Sequence, residues 1–263
     1  MIVLGIETAT IACGVALVSD AGVLGTMQIA TRQAHSERLM PLVDALLRET
    51  GISRSELAGI AVSQGPGSFT GLRIGIATAK AIALGLGLPV AGVPTLAAVA
   101  ANAGEAASLV WPALVAKKDE VYGAVYRGGE EPTLLGEPWA CPPEELLPRA
   151  LAATADALGA ADAAAAWLVG DAYARFADAL GLLATGSQAG PTQVSGRRVH
   201  ILGAHAALPQ AAVVARLGRA ALLRGEGVDA AALEPLYVRR PQAELVLAAR
   251  EAEEGGARRG RCE

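Results

Sequence analysis

Residues 65–75 read GPGSFTGLRIG, a glycine-rich turn that leads into an apolar run. The backbone amides of such a turn, together with the free N–H groups of a helix that follows it, form a site for a phosphate. Ser68 or Thr70 is the predicted N-terminal cap of that helix. The predicted phosphate or nucleotide contacts in this loop are Gly65, Gly67, Ser68, Thr70 and Gly71.

The same loop matches no complete nucleotide-binding motif. A Walker A loop has a second glycine five positions after the first, but the fifth residue after Gly65 is Thr70. The fifth residue after Gly67 is Leu72, so this register fails as well. The dinucleotide pattern GxGxxG begins correctly and then fails at Thr70. Because the loop also has no lysine, the alternative interpretation is a turn that only lets the helix pack closely on a sheet.

Motifs for a metal site or an activated nucleophile are missing from the sequence, which contains neither HExxH nor GxSxG. His200 and His205 are five positions apart, so they do not share one helix face. His35 and Glu37 form an H-x-E, but the PCxxC that a zinc deaminase requires does not accompany it. We therefore predict no catalytic residue and no metal site, and we interpret His35 as a helix-entry residue.

Composition and charge restrict the class of function. The chain carries 22 Lys and Arg against 26 Asp and Glu, a net charge of −4. A protein that binds tRNA or DNA alone needs a basic footprint, so we expect any tRNA to be held by a partner. The isolated cysteines and the N-terminus without a basic leader indicate a reducing, cytoplasmic setting. The uncharged stretch 81–104 is interrupted by glycines and prolines, so we expect no membrane span.

Strands and helices alternate clearly in the first hundred residues. The predicted strands are 3–7, 14–18, 23–30, 59–64 and 88–93, and the predicted helices run from Ser36 to before Gly51, over 70–84 and over 95–103. The order βββαβαβα, with an antiparallel meander followed by parallel strands, predicts an α/β fold of the ribonuclease H-like type. This unit is the repeating half of actin-like and sugar-kinase-like ATPases, the ASKHA fold, so we expect two lobes.

In actin-like ATPases the first hairpin also faces the phosphates. Here that hairpin carries Glu7, Thr8, Ala9 and Thr10. Thr8 and Thr10 are therefore predicted hydroxyl contacts, and Glu7 is a predicted acid on the magnesium side. A polar hairpin rim without a ligand is the alternative.

The alternation of strands and helices is less regular after Gly104, where a smaller α/β lobe is expected. Its predicted strands are 109–116, 121–127, one near Thr133 and 167–170, its predicted helices begin at Pro142 and cover 172–182, and 186–196 is a predicted loop. A helix over 208–223 is predicted to pack back on the first lobe. The predicted domains are 1–104 plus about 205–225, then 105–204, then an extended tail over 226–263 with a frayed C-terminus.

The predicted helix after the glycine loop is apolar on nearly all sides over 72–88. A helix of this kind is covered on more than one face. The helix that begins at Ser36 also has a broad apolar stripe. The two helices side by side therefore predict half of a helical interface, with a core helix enclosed in the domain as the alternative.

Several motifs, taken in order along the chain, resemble one family. They are LGIETAT at 4–10, AHSERLMPLVDALL at 34–47, GPGSFTGLRIGIATAKAIALGLGLPVAGVPTL at 65–96, DEVYGAVY at 119–126, VGDA at 169–172 and EPLYVR at 234–239. This series resembles the TsaB family, also called YeaZ, of the actin-like ATPase superfamily. The resemblance covers nearly the whole chain, and the block around GPGSFTGLRIG is its most specific part.

The resemblance implies a non-catalytic partner of the paralogue TsaD, which transfers a threonylcarbamoyl group to the adenosine next to the anticodon of tRNAs that read A-starting codons. The ATPase TsaE joins them in bacteria. TsaD has an HxxxH metal motif, whereas the matching stretch 95–99 here has no histidine. The resemblance further implies no tightly bound cofactor, ATP held weakly or at the complex interface, tRNA contact only through the complex, and a homodimer when TsaD is absent.

Pairing in the family uses the two helices of the first lobe. The residues that the resemblance places in the partner interface are Met40, Val43, Leu47, Ile74, Ala77, Thr78 and Ala81. Two alternatives remain open at this point: an autonomous actin-like or sugar-kinase-like ATPase, suggested by the fold and the loop, and a metallopeptidase-like protein.

Two positions depart from the family pattern. Many relatives have Asp where Glu7 stands, and Asp-Ala-Arg where residues 115–117 read Val-Ala-Lys. Val115 removes a carboxylate from the cleft side of the second lobe. Both departures argue against nucleotide hydrolysis by this chain and leave the scaffold interpretation intact.

Overall fold

The computed structural model describes residues 1–30, 35–159, 164–182 and 192–238. The strands are β1 (Ile2–Glu7), β2 (Ala12–Ser19), β3 (Gly22–Ala30), β4 (Leu57–Gly65), β5 (Val90–Pro94), β6 (Leu109–Lys117), β7 (Glu120–Gly123), β8 (Tyr126–Arg127), β9 (Thr133–Leu134), β10 (Trp139–Cys141), β11 (Ala166–Val169), β12 (Thr192–Val194) and β13 (Arg197–Ile201). The helices are α1 (His35–Thr50), α2 (Phe69–Leu86), α3 (Thr95–Ala101), α4 (Leu146–Leu158), α5 (Asp171–Arg175) and α6 (Ala211–Leu223).

The first sheet has five strands in the order β3-β2-β1-β4-β5. The first three strands form an antiparallel meander, and β4 and β5 pair in parallel beside β1. The predicted order βββαβαβα is therefore confirmed, and the α/β ribonuclease H-like fold with it.

Helices cover both faces of this sheet. On one face α1 packs against β2 and β3 and buries Leu39 and Leu46, while α2 packs against β4 and buries Ile76. On the other face α6 packs against β1, β2, β4 and β5, with Val214 fully buried. A helix from the far end of the sequence thus completes the first core.

A second sheet holds the remaining strands in the order β10-β7-β6-β11-β13-β12, with β8 paired to β6 and to β9. Its core gathers α4 and α5 around the fully buried Trp111, whose indole N–H donates to Thr154 Oγ1 at 3.0 Å. A further cluster packs α3 against β6 through Leu96, Val99 and Val110. The domain boundaries predicted from the sequence remain a proposal.

The local sequence explains where α2 begins and ends. Ser68 Oγ accepts the Gly71 N–H at 3.2 Å, which caps the N-terminus. Gly87 ends the helix in the left-handed region at φ 66°, where a side chain is unfavourable. The buried positions Leu72, Ile76 and Ala79 follow the helical spacing, so a single face of α2 meets the sheet.

The structure corrects several predicted elements. Residues 121–127 form two short strands, the predicted helix 172–182 ends at Arg175 and continues as turns, and the predicted helix 208–223 begins at Ala211. The predicted loop 186–196 ends in β12, while 183–191 lie outside the described residues. Strands β10 and β13 are additions to the prediction. Of the predicted tail 226–263, residues 230–232 form a 3-10 turn, 233–238 have neither helix nor strand, and 239–263 lie outside the described residues.

The missed hairpin between β12 and β13 has a clear physical basis. Ser195 and Gly196 both have positive φ, at 48° and 83°. Two successive residues of this kind form the type I′ turn that joins antiparallel strands. Val199 in β13 is fully buried, so the strand contributes to the second core despite its two arginines.

Within the described part of the chain, α2 is the one helix long and apolar enough to cross a membrane by length and composition. The core helix of a globular domain meets the same criterion. Because one face of α2 is buried against the sheet, length and composition alone do not assign this helix to a membrane.

Candidate functional site

A cleft of about 540 Å³ lies between the hairpin after β1 and the C-terminal end of β6. Its lining residues are Ala9, Thr10, Ile11, His35, Gly67, Ser68, Leu114, Val115, Ala116, Asp171 and Arg175. This is the position at which the sequence predicts phosphate contacts. Of the predicted residues, Thr10, Gly67 and Ser68 line the cleft.

The glycine-rich loop packs directly against the first hairpin. The Ser68 N–H donates to the carbonyl oxygen of Ala9 at 2.7 Å. A Cβ on Gly67 would overlap that same Ala9 oxygen, and a Cβ on Gly71 would overlap the carbonyl oxygen of Thr8. These glycines are therefore required by contact between two backbone segments of the chain itself.

Three of the residues predicted to contact a ligand instead make contacts with other parts of the chain. Thr8 is fully buried and its hydroxyl donates to the Gly71 carbonyl at 2.8 Å. The Gly65 N–H donates to Thr95 Oγ1 at 3.1 Å, and a Cβ there would overlap the carbonyl oxygen of Leu236. Thr8, Gly65 and Gly71 thus hold the loop in place, which narrows the proposed phosphate contact to the residues that line the cleft.

The other predicted hydroxyls differ in position. Thr10 Oγ1 accepts the Ala12 N–H at 3.2 Å and lines the cleft with Ser68, whose Oγ caps α2. Thr70 is exposed in the first turn of α2 and lies outside the lining of the cleft. Of the predicted hydroxyls, those of Thr10 and Ser68 belong to residues that line the cleft.

Glu7 lies beneath the hairpin with no exposed surface. One carboxylate oxygen accepts the Ala9 N–H at 2.7 Å, and the other accepts the Ser63 hydroxyl. Burial raises the pKa of Glu7 to about 8, and these hydrogen bonds only partly oppose the effect. The carboxyl group is directed into the core, so the predicted role as a magnesium-side acid has no support in this geometry.

His35 begins α1, as predicted for a helix-entry residue. Its Nε2 lies 2.8 Å from the carbonyl oxygen of Thr10, which ties α1 to the first hairpin. Its Nδ1 is buried and has no hydrogen-bond partner among the residues that the structure describes. The ring therefore forms part of the cleft wall.

A groove of about 270 Å³ between α1 and α2 is lined by four of the predicted partner-interface residues, namely Met40, Val43, Leu47 and Ala81. The other three, Ile74, Ala77 and Thr78, lie on α2 outside its lining. Met40 is 42% exposed, and Ala77 and Ala81 are exposed on the outer face of α2. Ile74 and Thr78 are half-buried on the same helix. Val43 and Leu47 are buried in the first core and also line the groove, so their place in a partner interface stays a prediction.

No group of three or more His, Cys, Asp or Glu residues that is able to hold a metal occurs in the described ranges. The two cysteines in those ranges, Cys13 and Cys141, are both buried and unpaired. The prediction about metals stays a prediction, since a partner chain also supplies ligands in some metal sites.

A family model described as "TsaD: tRNA N6-adenosine threonylcarbamoyltransferase" matches residues 22–246. The chain is 41% identical over 139 residues to the tRNA threonylcarbamoyladenosine biosynthesis protein TsaB of Escherichia coli, a match that spans 52% of this chain and 60% of that protein. It is 28% identical to the protein of the same name from Haemophilus influenzae, over 90% of this chain and 92% of that protein.

Among solved structures, YeaZ from Pseudomonas aeruginosa is similar with a TM-score of 0.71 and 30% identity, over 90% of this chain and 99% of that chain. The chain belongs to the TsaB (YeaZ) family. The similarity to YeaZ includes both sheets, because it extends over nearly the whole described fold.

Asp171 lines the cleft, although the sequence analysis did not predict it as a site residue. It begins α5, and its Oδ1 accepts the N–H of Val115 at 2.9 Å. Burial raises the pKa of Asp171 above its usual value. The hydrogen bond from Val115 and the charge of Arg175 oppose this rise only in part. The cleft side of the second lobe therefore has a carboxylate even though Val115 does not supply one. The motif VGDA at 169–172 contains the signal that would have identified it.

The glycine contacts predict a sharp difference between two Gly→Ala changes in the same helix. Gly71→Ala places a Cβ onto the Thr8 carbonyl and should lower the free energy of unfolding by about 1–3 kcal/mol. Gly85→Ala meets nothing within 4 Å and should raise it by about 0.5–1 kcal/mol. Urea denaturation of both variants measures this. Equal effects would contradict the close approach of the hairpin.

Glu7 predicts a pH dependence of stability. Because its pKa is raised from 4.5 to about 8 on folding, the folded state holds the proton more tightly than the unfolded chain. This stabilisation is complete below about pH 4.5 and is lost as the pH rises to about 8, by up to roughly 5 kcal/mol. Glu7→Gln should flatten that decline, as measured by urea denaturation at several pH values. The exposed Glu49→Gln is the matched control, and a parallel decline in both variants would refute the assignment.

Proposed function

We propose that this chain is the non-catalytic subunit that binds TsaD, with TsaE, for transfer of the threonylcarbamoyl group to the adenosine next to the anticodon of tRNAs that read A-starting codons. Two lines support the proposal. The relatives from Escherichia coli and Haemophilus influenzae are named as threonylcarbamoyladenosine biosynthesis proteins, and the matching family model is described by the transferase itself.

The observation that carries the proposal is the outward face of α2. This helix is apolar on both sides, yet Ala77 and Ala81 are exposed and Leu84 is 65% exposed. Met40 of α1 extends the same surface across the groove. An apolar surface of this kind is typical of a protein-protein interface, because burying it removes apolar area from water.

Small side chains define how a partner approaches this face. Ala77 and Ala81 lie one helical turn apart and leave the backbone of α2 accessible. A helix from a partner packs more closely against alanine than against longer residues. In the absence of TsaD, a second copy of the chain uses the same face in a symmetric dimer.

The charge of the chain is consistent with an accessory role. The net charge of −4 gives no basic footprint for tRNA, so in this proposal the complex holds the tRNA. The cytoplasm, where tRNA modification takes place, is the proposed location.

ATP enters this proposal as a ligand held weakly or at the complex interface. Thr10, Gly67 and Ser68 supply polar groups in the cleft, and Arg175 is the cation in its described lining. Because Gly67 and Gly71 pack against the hairpin and the Ser68 N–H bonds to Ala9, the loop has few free backbone amides for a phosphate. Calorimetry of the isolated chain with ATP and magnesium should show no resolvable heat, whereas tight binding would favour an autonomous ATPase.

The interface is tested by one charge on the outward face. Ala77→Glu should weaken both the homodimer and the TsaD contact by about a hundredfold, since burying an unpaired carboxylate costs several kcal/mol. The matched control is Ala152→Glu on the exposed side of α4. Sedimentation and co-elution with TsaD give the affinities, and circular dichroism reports the fold. A dimer that survives Ala77→Glu would place the interface elsewhere.

The function itself is tested by reconstitution. Purified chain, TsaD, TsaE, ATP, a threonylcarbamoyl donor and tRNA should together form threonylcarbamoyladenosine, and omission of the chain should abolish it. Nucleoside mass spectrometry measures the product. Full modification without the chain, together with no co-elution with TsaD, would overturn the proposal.

A further inference from the structure

Residues 228–238 form a strap that crosses the first lobe beside α2. It begins at Val228, which exchanges two backbone hydrogen bonds with Val90 of β5 at 2.8 and 3.0 Å. It then passes the C-terminal half of α2, where Lys80 Nζ donates to the Ala231 carbonyl at 3.1 Å. The strap ends beside the first turn of the same helix.

The middle of the strap is fixed in the first core. Leu233 is 3% exposed and packs with the side chains between α2 and the sheet. A Cβ on Gly92 would press against Leu233 Cδ1 and the Gln64 side chain, so β5 makes room for the strap. This part of the strap therefore belongs to the first core.

Two hydrogen bonds join the strap to the start of the glycine-rich loop. Gln64 Nε2 donates to the Glu234 carbonyl, and the Leu236 N–H donates to the Gln64 carbonyl, both at 2.7 Å. The carbonyl of Leu236 occupies the space above Gly65 that a side chain would need. The strap thus contacts the loop at Gly65, whereas the first hairpin contacts it at Gly67 and Gly71.

The strap ends in an aromatic stack on α2. The rings of Tyr237 and Phe69 lie 5.7 Å apart at an interplanar angle of 29°. The guanidinium carbon of Arg73 lies 4.0 Å from the centre of the Phe69 ring. Phe69, Arg73, Ala77 and Ala81 follow one another at intervals of four residues along α2, so the stack lies at the N-terminal end of the outward face.

We propose that Tyr237 is a positioning residue: through Phe69, the strap holds the first turns of α2 in the orientation that the outward face needs to bind its partner. The hold on α2 follows from the contacts above, and the consequence for partner binding rests on the proposed function. Without the stack, the first turn of α2 keeps its cap at Ser68 and loses its contact with the strap.

Hydrogen exchange at two backbone amides measures the contact between the strap and α2 in the isolated chain. The Leu236 N–H bonds to Gln64 in the strap, and the Leu72 N–H bonds to Ser68 at 2.8 Å in the first turn of α2. Tyr237→Ala should speed hydrogen exchange at both amides by about threefold to tenfold, the range expected for loss of one aromatic pair. Amides of β1 should keep their wild-type rates, which shows that the fold is intact.

Tyr237→Phe is the matched control. The hydroxyl of Tyr237 is buried without a hydrogen-bond partner in the described ranges, so its removal leaves the stack and breaks no bond there. This variant should restore wild-type exchange and wild-type affinity for TsaD. Phe69→Ala removes the Arg73 contact as well as the stack, so it should speed exchange at least as much as Tyr237→Ala does. The double variant should add little to Phe69→Ala, since that change already removes the stack.

The outcomes separate the two proposals. If the wild-type chain does not bind TsaD, the proposed function fails, and exchange at Leu72 still decides whether the strap holds α2. Unchanged exchange at Leu72 in Tyr237→Ala would overturn the hold. Faster exchange with unchanged TsaD affinity would overturn the positioning role, whereas faster exchange with about threefold to tenfold weaker binding supports it.

Discussion

The structure depends on close contact between two backbone segments, the hairpin after β1 and the loop before α2. Ser68 donates to Ala9, Thr8 donates to Gly71, and the glycines at 67 and 71 leave no room for a side chain between the two segments. Backbone groups that meet in this way satisfy their hydrogen bonds without water or ligand. The contact therefore fixes the start of α2 relative to the sheet, and the direction of the helix follows from it.

That direction determines which side of α2 is free. Leu72, Ile76 and Ala79 pack on the sheet, so Ala77 and Ala81 must point outward. The carboxyl group of Glu7 supports the arrangement from below, because one oxygen accepts a bond from the hairpin and the other accepts a bond from Ser63 of β4. A buried network of this kind specifies one geometry when every member is paired.

The sequence predicted the first lobe closely because its apolar periods are long and its turns carry glycine. It predicted the second lobe less well, since strands as short as β8 and β9 have too few residues to show a period. The hairpin at Ser195 and Gly196 was readable from turn chemistry, but the arginines of β13 hid the strand. The glycines at 65–71 were recognised as special, yet their partners lie in segments distant in sequence. No local pattern distinguishes a glycine that admits a phosphate from one that admits a carbonyl oxygen.

This ambiguity has a structural consequence for the fold family. A glycine-rich turn at the N-terminus of a helix serves a nucleotide when its amides face an open cleft. Here the Leu236 carbonyl fills the space at Gly65 and the Ala9 carbonyl fills the space at Gly67, and of residues 65–71 Gly67 and Ser68 line the cleft. The same sequence feature then fixes the position of α2, and the strap at 228–238 adds contacts to Gln64 and Phe69. A loop used in this way needs no lysine, and the helix that it positions presents the small side chains of Ala77 and Ala81 outward.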